Sequence, residues 1–211
     1  PWRMPGERKD RLTKTVQTHR VQILDPAVGT ATFLNEIIKY IYEKKRETQA
    51  GQWPSYVREH LIPRLFGFEL MMAPYTIAHL KLGMTLQETG VTDLGNERLN
   101  VYLTNTLEEG TPYQQRLELG LGQAIATESK LAADIKTTQP IMIVMGNPPY
   151  KGESSNKTPF AVQLVNKYKT EPGGTLKLRE ANSKWINDDY VKFIAFAENT
   201  IQKTPQGLLP I

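Results

Sequence analysis

The chain has 211 residues, a formal charge of +4 and no cysteine. That length suits one α/β domain, or one domain with an appended segment, and the missing cysteine excludes a disulfide framework and a cysteine-based zinc site. No apolar run approaches the roughly 18–20 residues that span a bilayer, and His19, His60 and His79 are too scattered to suggest a metal site.

Residues 1–20 are a basic lead-in, where Arg3, Arg8, Lys9, Arg11, Lys14 and Arg20 outnumber Glu7 and Asp10. Two readings stay open for it: a flank that touches phosphates, or a solvated, partly disordered stretch. Val21–Leu24 is β-compatible and stops at Asp25-Pro26, because proline disfavours helix at the residue before it. From Thr30 onward Phe33, Leu34, Ile37, Ile38 and Ile41 recur at helical spacing and predict a helix to about Lys45. Arg46–Trp53 reads as a loop, with a short helix over Ser55–Leu61. Leu65–Glu69 is a second strand ending in an acid. Pro74 then sits near a helix start, where its missing N–H costs little, and Ile77, Leu80, Met84 and Leu86 form that helix's apolar face.

Asn100–Leu103 is a third strand. The polar stretch 108–138 is partly helical, with Leu117, Leu121, Ile125 and Leu131 as weak anchors. Pro140–Met145 is a fully apolar run of the buried parallel type. Residues 151–185 are polar, carry glycines at 152, 173 and 174, and read as a long loop of the kind that is functional or disordered. Asp188–Lys203 is a helix with Tyr190, Ile194, Ala197 and Ile201 on one face and Asn187 or Asp188 as its cap. The chain starts at Pro1 without methionine, and Gly207–Ile211 reads as the opening of another strand, which predicts a piece truncated at both ends. Strands alternating with helices predict an α/β fold with a doubly wound, mostly parallel sheet, which binds ligands outside the carboxyl ends of its strands.

Four loops fall at those ends. In Asp25-Pro26-Ala27-Val28-Gly29-Thr30-Ala31-Thr32-Phe33, Gly29 permits close approach to a ligand, and the next helix aims its amino terminus there. Ala31 stands where a dinucleotide fingerprint has a further glycine, and the Gly-Lys-Ser/Thr ending of a P-loop is missing. Asp25 suits a cationic ligand end better than a phosphate. Glu69 is placed to accept both hydroxyls of a ribose. Asn105, after the third strand, offers a donor and an acceptor to an adenine edge. Each of these has an ordinary structural alternative: a strand-to-helix turn, an exposed strand end, a turn former. In Asn147-Pro148-Pro149-Tyr150 the prolines fix φ and keep carbonyls out of local pairing. One NH₂ group can then donate to both the Asn147 side chain and the Pro148 carbonyl, with Tyr150 stacked on its ring; the structural alternative is a plain Pro-Pro turn after a buried strand.

With these residues the chain resembles the amino-group DNA methyltransferases that modify N6 of adenine using S-adenosylmethionine. Asn147-Pro148-Pro149-Tyr150 matches the catalytic motif letter for letter. Asp25–Phe33 is similar to the cofactor loop, implying that Asp25, Pro26, Ala27, Gly29, Thr30 and Phe33 bind the cofactor. Glu69 resembles the ribose acid, and Asn105 the adenine contact, although an acid is often found there. A cofactor loop that precedes the catalytic motif resembles the gamma-type order. Asp25–Thr30 and Asn187–Phe193 are further similar to large single-polypeptide restriction–modification enzymes of the type I-like, or type ISP, kind.

The resemblance covers residues 20–211 and implies a Rossmann-like S-adenosylmethionine-dependent fold. Residues 21–211 would be a partial catalytic domain with 108–138 and 151–185 inserted. Double-stranded DNA would be the partner of the full-length protein. Nuclease, helicase and target-recognition regions would lie outside this chain, and the setting would be cytoplasmic, with no membrane and no metal. The upstream segment expected to fold over the cofactor's methionine end is not recognisable in residues 1–20. Transfer to a protein glutamine or an RNA base is the rival chemistry, since the same clamp grips any NH₂. A catalytically inactive fragment with a docking role is the non-enzymatic one.

Overall fold

A computed structural model describes residues 5–9, 15–109, 121–150, 154, 156–171, 176–178 and 183–210. The elements in chain order begin with β1 (Pro5–Lys9), β2 (Thr15–His19), β3 (Ile23–Asp25), α1 (Thr32–Gln49) and α2 (Trp53–Tyr56). They continue with β4 (Leu65–Glu69), α3 (Met72–Glu88), β5 (Val101–Leu103), α4 (Leu121–Thr138) and β6 (Ile143–Val144), and end with α5 (Pro159–Asn166) and α6 (Asp189–Ile201). Four strands form a parallel sheet in the order β5-β4-β3-β6. The chain thus builds outward from β3 through β4 to β5, then returns to the other side of β3 with β6. The switch point lies between the carboxyl ends of β3 and β6, where a doubly wound sheet opens its ligand crevice.

Side chains alternate along each strand and feed two apolar cores, one per face. Leu24, Phe66, Phe68, Tyr102 and Val144 pack with Ala132 and Ile135 of α4, Leu164 and Val165 of α5, and Phe193 and Phe196 of α6. On the opposite face Leu65 and Val101 pack with Leu34 and Ile38 of α1, Trp53, and Leu82 and Leu86 of α3. Leu208 adds a parallel bridge to Ile143, with Leu208 N–H donating to the Met142 carbonyl at 2.9 Å, so the strand expected after residue 207 does reach the sheet beside β6.

Four expectations are corrected. The lead-in contains a two-stranded antiparallel hairpin, β1 with β2, rather than disorder. Helix α1 runs to Gln49, through part of the expected loop, and a helical chain of changing pitch follows it to Arg64. The loop expected over 151–185 contains α5, which starts at a Thr158 cap whose hydroxyl accepts from Ala161 N–H at 3.1 Å, with Pro159 in the first turn. These are the ordinary signals of a helix start; the helix is short enough that its apolar side, Ala161, Leu164 and Val165, gives less than two turns of periodicity.

The fourth correction concerns α3. Of its expected apolar face Leu86 is buried as expected, but Ile77, Leu80 and Met84 point outward at 47%, 62% and 59% exposure, and Ala78, Leu82 and Thr85 face the core beside Leu86. The helix is apolar on several sides, so periodicity does not single out one of them. The inner face is fixed by a polar pair: Thr85 Oγ1 donates to Asn35 Oδ1 of α1 at 2.6 Å. In the 108–138 stretch α4 is anchored through Ala132, Ala133 and Ile135, with Ile125 exposed and Leu131 half-buried; Leu117 lies outside the described residues. In α6, Asp188 is the cap, accepting from Tyr190 N–H, and Ala197 is buried as expected beside Phe193, Ala195 and Phe196.

Candidate active site

Because the four strands are parallel, the segments following Asp25, Glu69, Leu103 and Val144 all emerge at one edge of the sheet. Three contacts tie them together. Thr106 Oγ1, after β5, donates to the Pro26 carbonyl after β3 at 2.5 Å. Gly29 N–H donates to Glu69 Oε2 at 2.9 Å. Gly146 packs against Asp25 so closely that a Cβ at residue 146 would stand 2.7 Å from Asp25 Oδ1. The loop after the first strand of the sheet is therefore held by the other three.

Asp25 is 1% exposed, and its Oδ1 accepts from Ala27 N–H at 3.1 Å. Its Oδ2 is buried with no hydrogen-bond partner among the described residues. Burial pushes the carboxyl up to about 7, the Ala27 N–H opposes this, and the negative charge of Glu69 adds to it. An acceptor left bare inside a protein costs on the order of 1–3 kcal/mol, so this atom asks for a donor. Pro26 and Val28 are buried, Ala27 is half-buried and Thr30 reaches the surface. Gly29 has φ of +55°, and the space a Cβ would occupy there is open. Ala31, at the position of the missing glycine, keeps the same left-handed backbone, with φ of +61°, and its methyl is buried. Phe33 lies exposed in the first turn of α1.

Glu69 ends β4, and its carboxylate takes three backbone donors: Gly29, and Leu70 and Met71 at 2.9 and 2.8 Å. A carboxylate has about four acceptor sites, so one remains for a further donor. Asn105 turns inward locally. Its Oδ1 accepts from Leu107 N–H at 3.0 Å, and its Nδ2 donates to Glu108 at 3.0 Å and to Asn156 Oδ1 at 3.2 Å. Lys136 of α4 braces the same turn by donating to the Asn105 carbonyl at 2.6 Å, and burial pushes its ammonium down to about 8.

After β6, Pro148 is buried while Asn147 and Tyr150 are exposed, Tyr150 by 74%. The Tyr150 ring stacks on Tyr190 with centroids 4.6 Å apart and planes 14° from parallel. A hydrogen bond with the Tyr150 hydroxyl raises the Tyr190 pKa. The structure adds a polar cluster absent from the sequence reading. Asp189 accepts from Ser154 and, at 3.1 Å, from Asn156, while buried Lys192 donates to Ser154 and, at 2.6 Å, to the Asn156 carbonyl. Lys192 and Asp189 lie 3.8 Å apart, both buried. Two charged residues on the inner side of an otherwise apolar helix were the only available signal for this cluster.

Solved structures share this fold. The described fold matches "ATP-dependent Type ISP restriction-modification enzyme LlaBIII bound to DNA" with a TM-score of 0.65 and 21% identity, over 92% of this chain and 12% of that one. A nuclease-deletion mutant of the Type ISP enzyme LlaGI, in complex with a DNA substrate mimic, matches with a TM-score of 0.63 and 20% identity, over 92% of this chain and 15% of that one. A DrdV–DNA complex matches with a TM-score of 0.57 and 26% identity, over 86% of this chain and 16% of that one. The chain therefore spans about 12–16% of the length of these structural relatives. No curated protein matches it. The family described as "MmeI, DNA-methyltransferase domain" matches residues 5–199, which is nearly the whole chain. The sheet order and that match agree: the chain belongs to the MmeI DNA-methyltransferase domain family.

Proposed function

We propose that this chain is the catalytic core of a DNA adenine-N6 methyltransferase that uses S-adenosylmethionine and works within a restriction–modification enzyme. The observation that carries the reading is the meeting of β3 and β6 at the switch point. It brings a buried carboxylate oxygen with no partner among the described residues close to the start of the Asn-Pro-Pro-Tyr segment, whose Asn147 and Tyr150 are exposed. The residues fit the cofactor. Asp25 Oδ2 would take the ammonium end, Gly29 would let the ligand approach the backbone, and Glu69 has acceptor capacity left for a ribose hydroxyl. Asn105 would contact the adenine edge after giving up one of its present bonds, and Pro26, Ala27, Thr30 and Phe33 would line the same loop. When bound, that cofactor supplies an electrophilic methyl group.

The protein's own part is positioning. Asn147 Oδ1 and the Pro148 carbonyl would hold an amino group so that its lone pair faces the methyl, favouring the positive charge that develops on nitrogen. Pro149 would fix φ and hold the segment away from local pairing, and Tyr150 would stack on the base. An adenine paired in a duplex cannot reach this crevice and must leave the stack, at a cost of a few kcal/mol. DNA as the partner is supported by the family and by the DNA-bound state of the structural relatives.

In the full-length protein, Asn147→Ala should lower the methylation rate by about 10²–10³-fold, the usual loss of one such acceptor or donor, with cofactor affinity within twofold of the parent. Radiolabel transfer to DNA and calorimetry read the two quantities. N6-methyladenine formed at the parental rate would refute the role of Asn147. Glu69→Ala should instead weaken cofactor binding, and unchanged affinity would remove the ribose assignment.

A further inference from the structure

Residues 187–193 resemble a recurrent phrase of these enzymes, yet the chemistry above gives them no task. The structure suggests one. Tyr190 stands in the first turn of α6, with its backbone N–H held by Asp188 Oδ1 at 2.7 Å. Its neighbour Asp189 is buried and tied to Ser154, Asn156 and Lys192. The Tyr190 ring therefore hangs from a braced helix start. Tyr150, which it faces, follows two prolines on the loop that leaves β6.

The two rings form a stack that neither core uses. Tyr150 is largely exposed and Tyr190 half-buried, so the contact buries little and contributes little to holding the fold together. Its near-parallel planes are the geometry that a flat heterocycle needs on both sides. Stacked rings sit about 3.4 Å apart, as bases do along a DNA strand, so a base between two rings needs about 7 Å. At 4.6 Å the present pair has no room for one.

We propose that Tyr190 is the second aromatic wall of the base site, stacked on Tyr150 when no base is present and parted from it to admit the target ring. The proposal rests on reading Asn147–Tyr150 as a base clamp. Tyr190 then positions the base and takes no part in bond making. The closed stack covers one face of Tyr150, the face on which a base would replace Tyr190.

The test uses the full-length protein and a duplex whose target adenine it methylates. Tyr190→Ala and Tyr190→Leu should lower kcat/KM by about 5- to 150-fold, the range for losing one base–aromatic stack. Tyr190→Phe, which keeps the ring, should stay within about threefold, and cofactor affinity should be unchanged in all three. On the same duplex with an abasic site at the target position, wild type and variants should bind with equal affinity, since no base is there to stack. A merely structural role would weaken both duplexes alike. Should Tyr190→Ala fold poorly, Tyr190→Leu retains comparable apolar bulk and carries the comparison. Equal methylation by wild type and Tyr190→Leu, or an equal loss on the abasic duplex, overturns the second wall alone. A wild type that methylates no adenine overturns the clamp reading and this one with it.

Discussion

A buried carboxylate with one bare oxygen is the most informative single residue here. Burial pushes Asp25 from 3.8 to about 7, so between those values the folded chain holds a proton that the unfolded chain has released. Its contribution to stability therefore falls as pH rises from about 4 to 7 and levels off above. Three pH units correspond to about 4 kcal/mol, which is an upper bound. Asp25→Asn should match the parent near pH 3 and exceed it by up to that amount at pH 8, in urea titrations at several pH values; a difference that stays constant with pH would sink the assignment. An ammonium group opposite Oδ2 would favour the ionised form, so cofactor affinity should drop about tenfold per unit below pH 7, and Asp25→Asn should abolish that dependence. The sequence made Asp25 a candidate because it ends a strand before a glycine loop. How tightly its side chain is enclosed was not legible, since Gly146, on the loop after the neighbouring strand β6, lies against its Oδ1 only once the sheet has formed.

At the scale of elements, strands and loops were easier to read than helix faces. Leu65–Glu69 was legible to the residue because an apolar run between two helix patterns has one interpretation in a parallel sheet. Helix α3 was legible as a helix but not in its orientation, because Leu80 and Leu82 carry the same side chain on opposite sides. Leu82→Ala should cost about 2–5 kcal/mol, and Leu80→Ala under about 0.5 kcal/mol, measured by urea unfolding; equal costs would contradict the packing. Helix α6 hides a different feature. Lys192→Met removes the cation from buried Asp189 and should destabilise by about 3–5 kcal/mol. Adding Asp189→Leu should restore much of that loss, and a double variant as weak as the sum of the singles would show that the pair is not coupled. Nothing in the spacing of residues 151–185 predicts that Ser154 and Asn156 complete this cluster, because the partners meet only after α5 has packed.

The described residues form a sheet shared by two cores, one on each face. Strand residues alternate between the cores, Leu65 and Gly67 toward one and Phe66 and Phe68 toward the other, so losing either core strips the same strands of half their packing. The described fold should unfold as one unit. Circular dichroism and the emission of buried Trp53 should give one midpoint in urea. Leu82→Ala and Phe196→Ala, one in each core, should add to within about 0.5 kcal/mol while both move that same midpoint. Two separate transitions would refute the shared sheet as the link.

The contact of Gly146 with Asp25 binds the two halves of the proposed reaction into one lesion target. A side chain at residue 146 would press on Asp25, the acid proposed to face the methyl donor, and would also shift the segment proposed to grip the acceptor. Donor and acceptor recognition could not then be lost one at a time at that position. A variant there would resemble a knockout of both, and a screen for enzymes that bind cofactor but reject a base would have to look elsewhere along the loop.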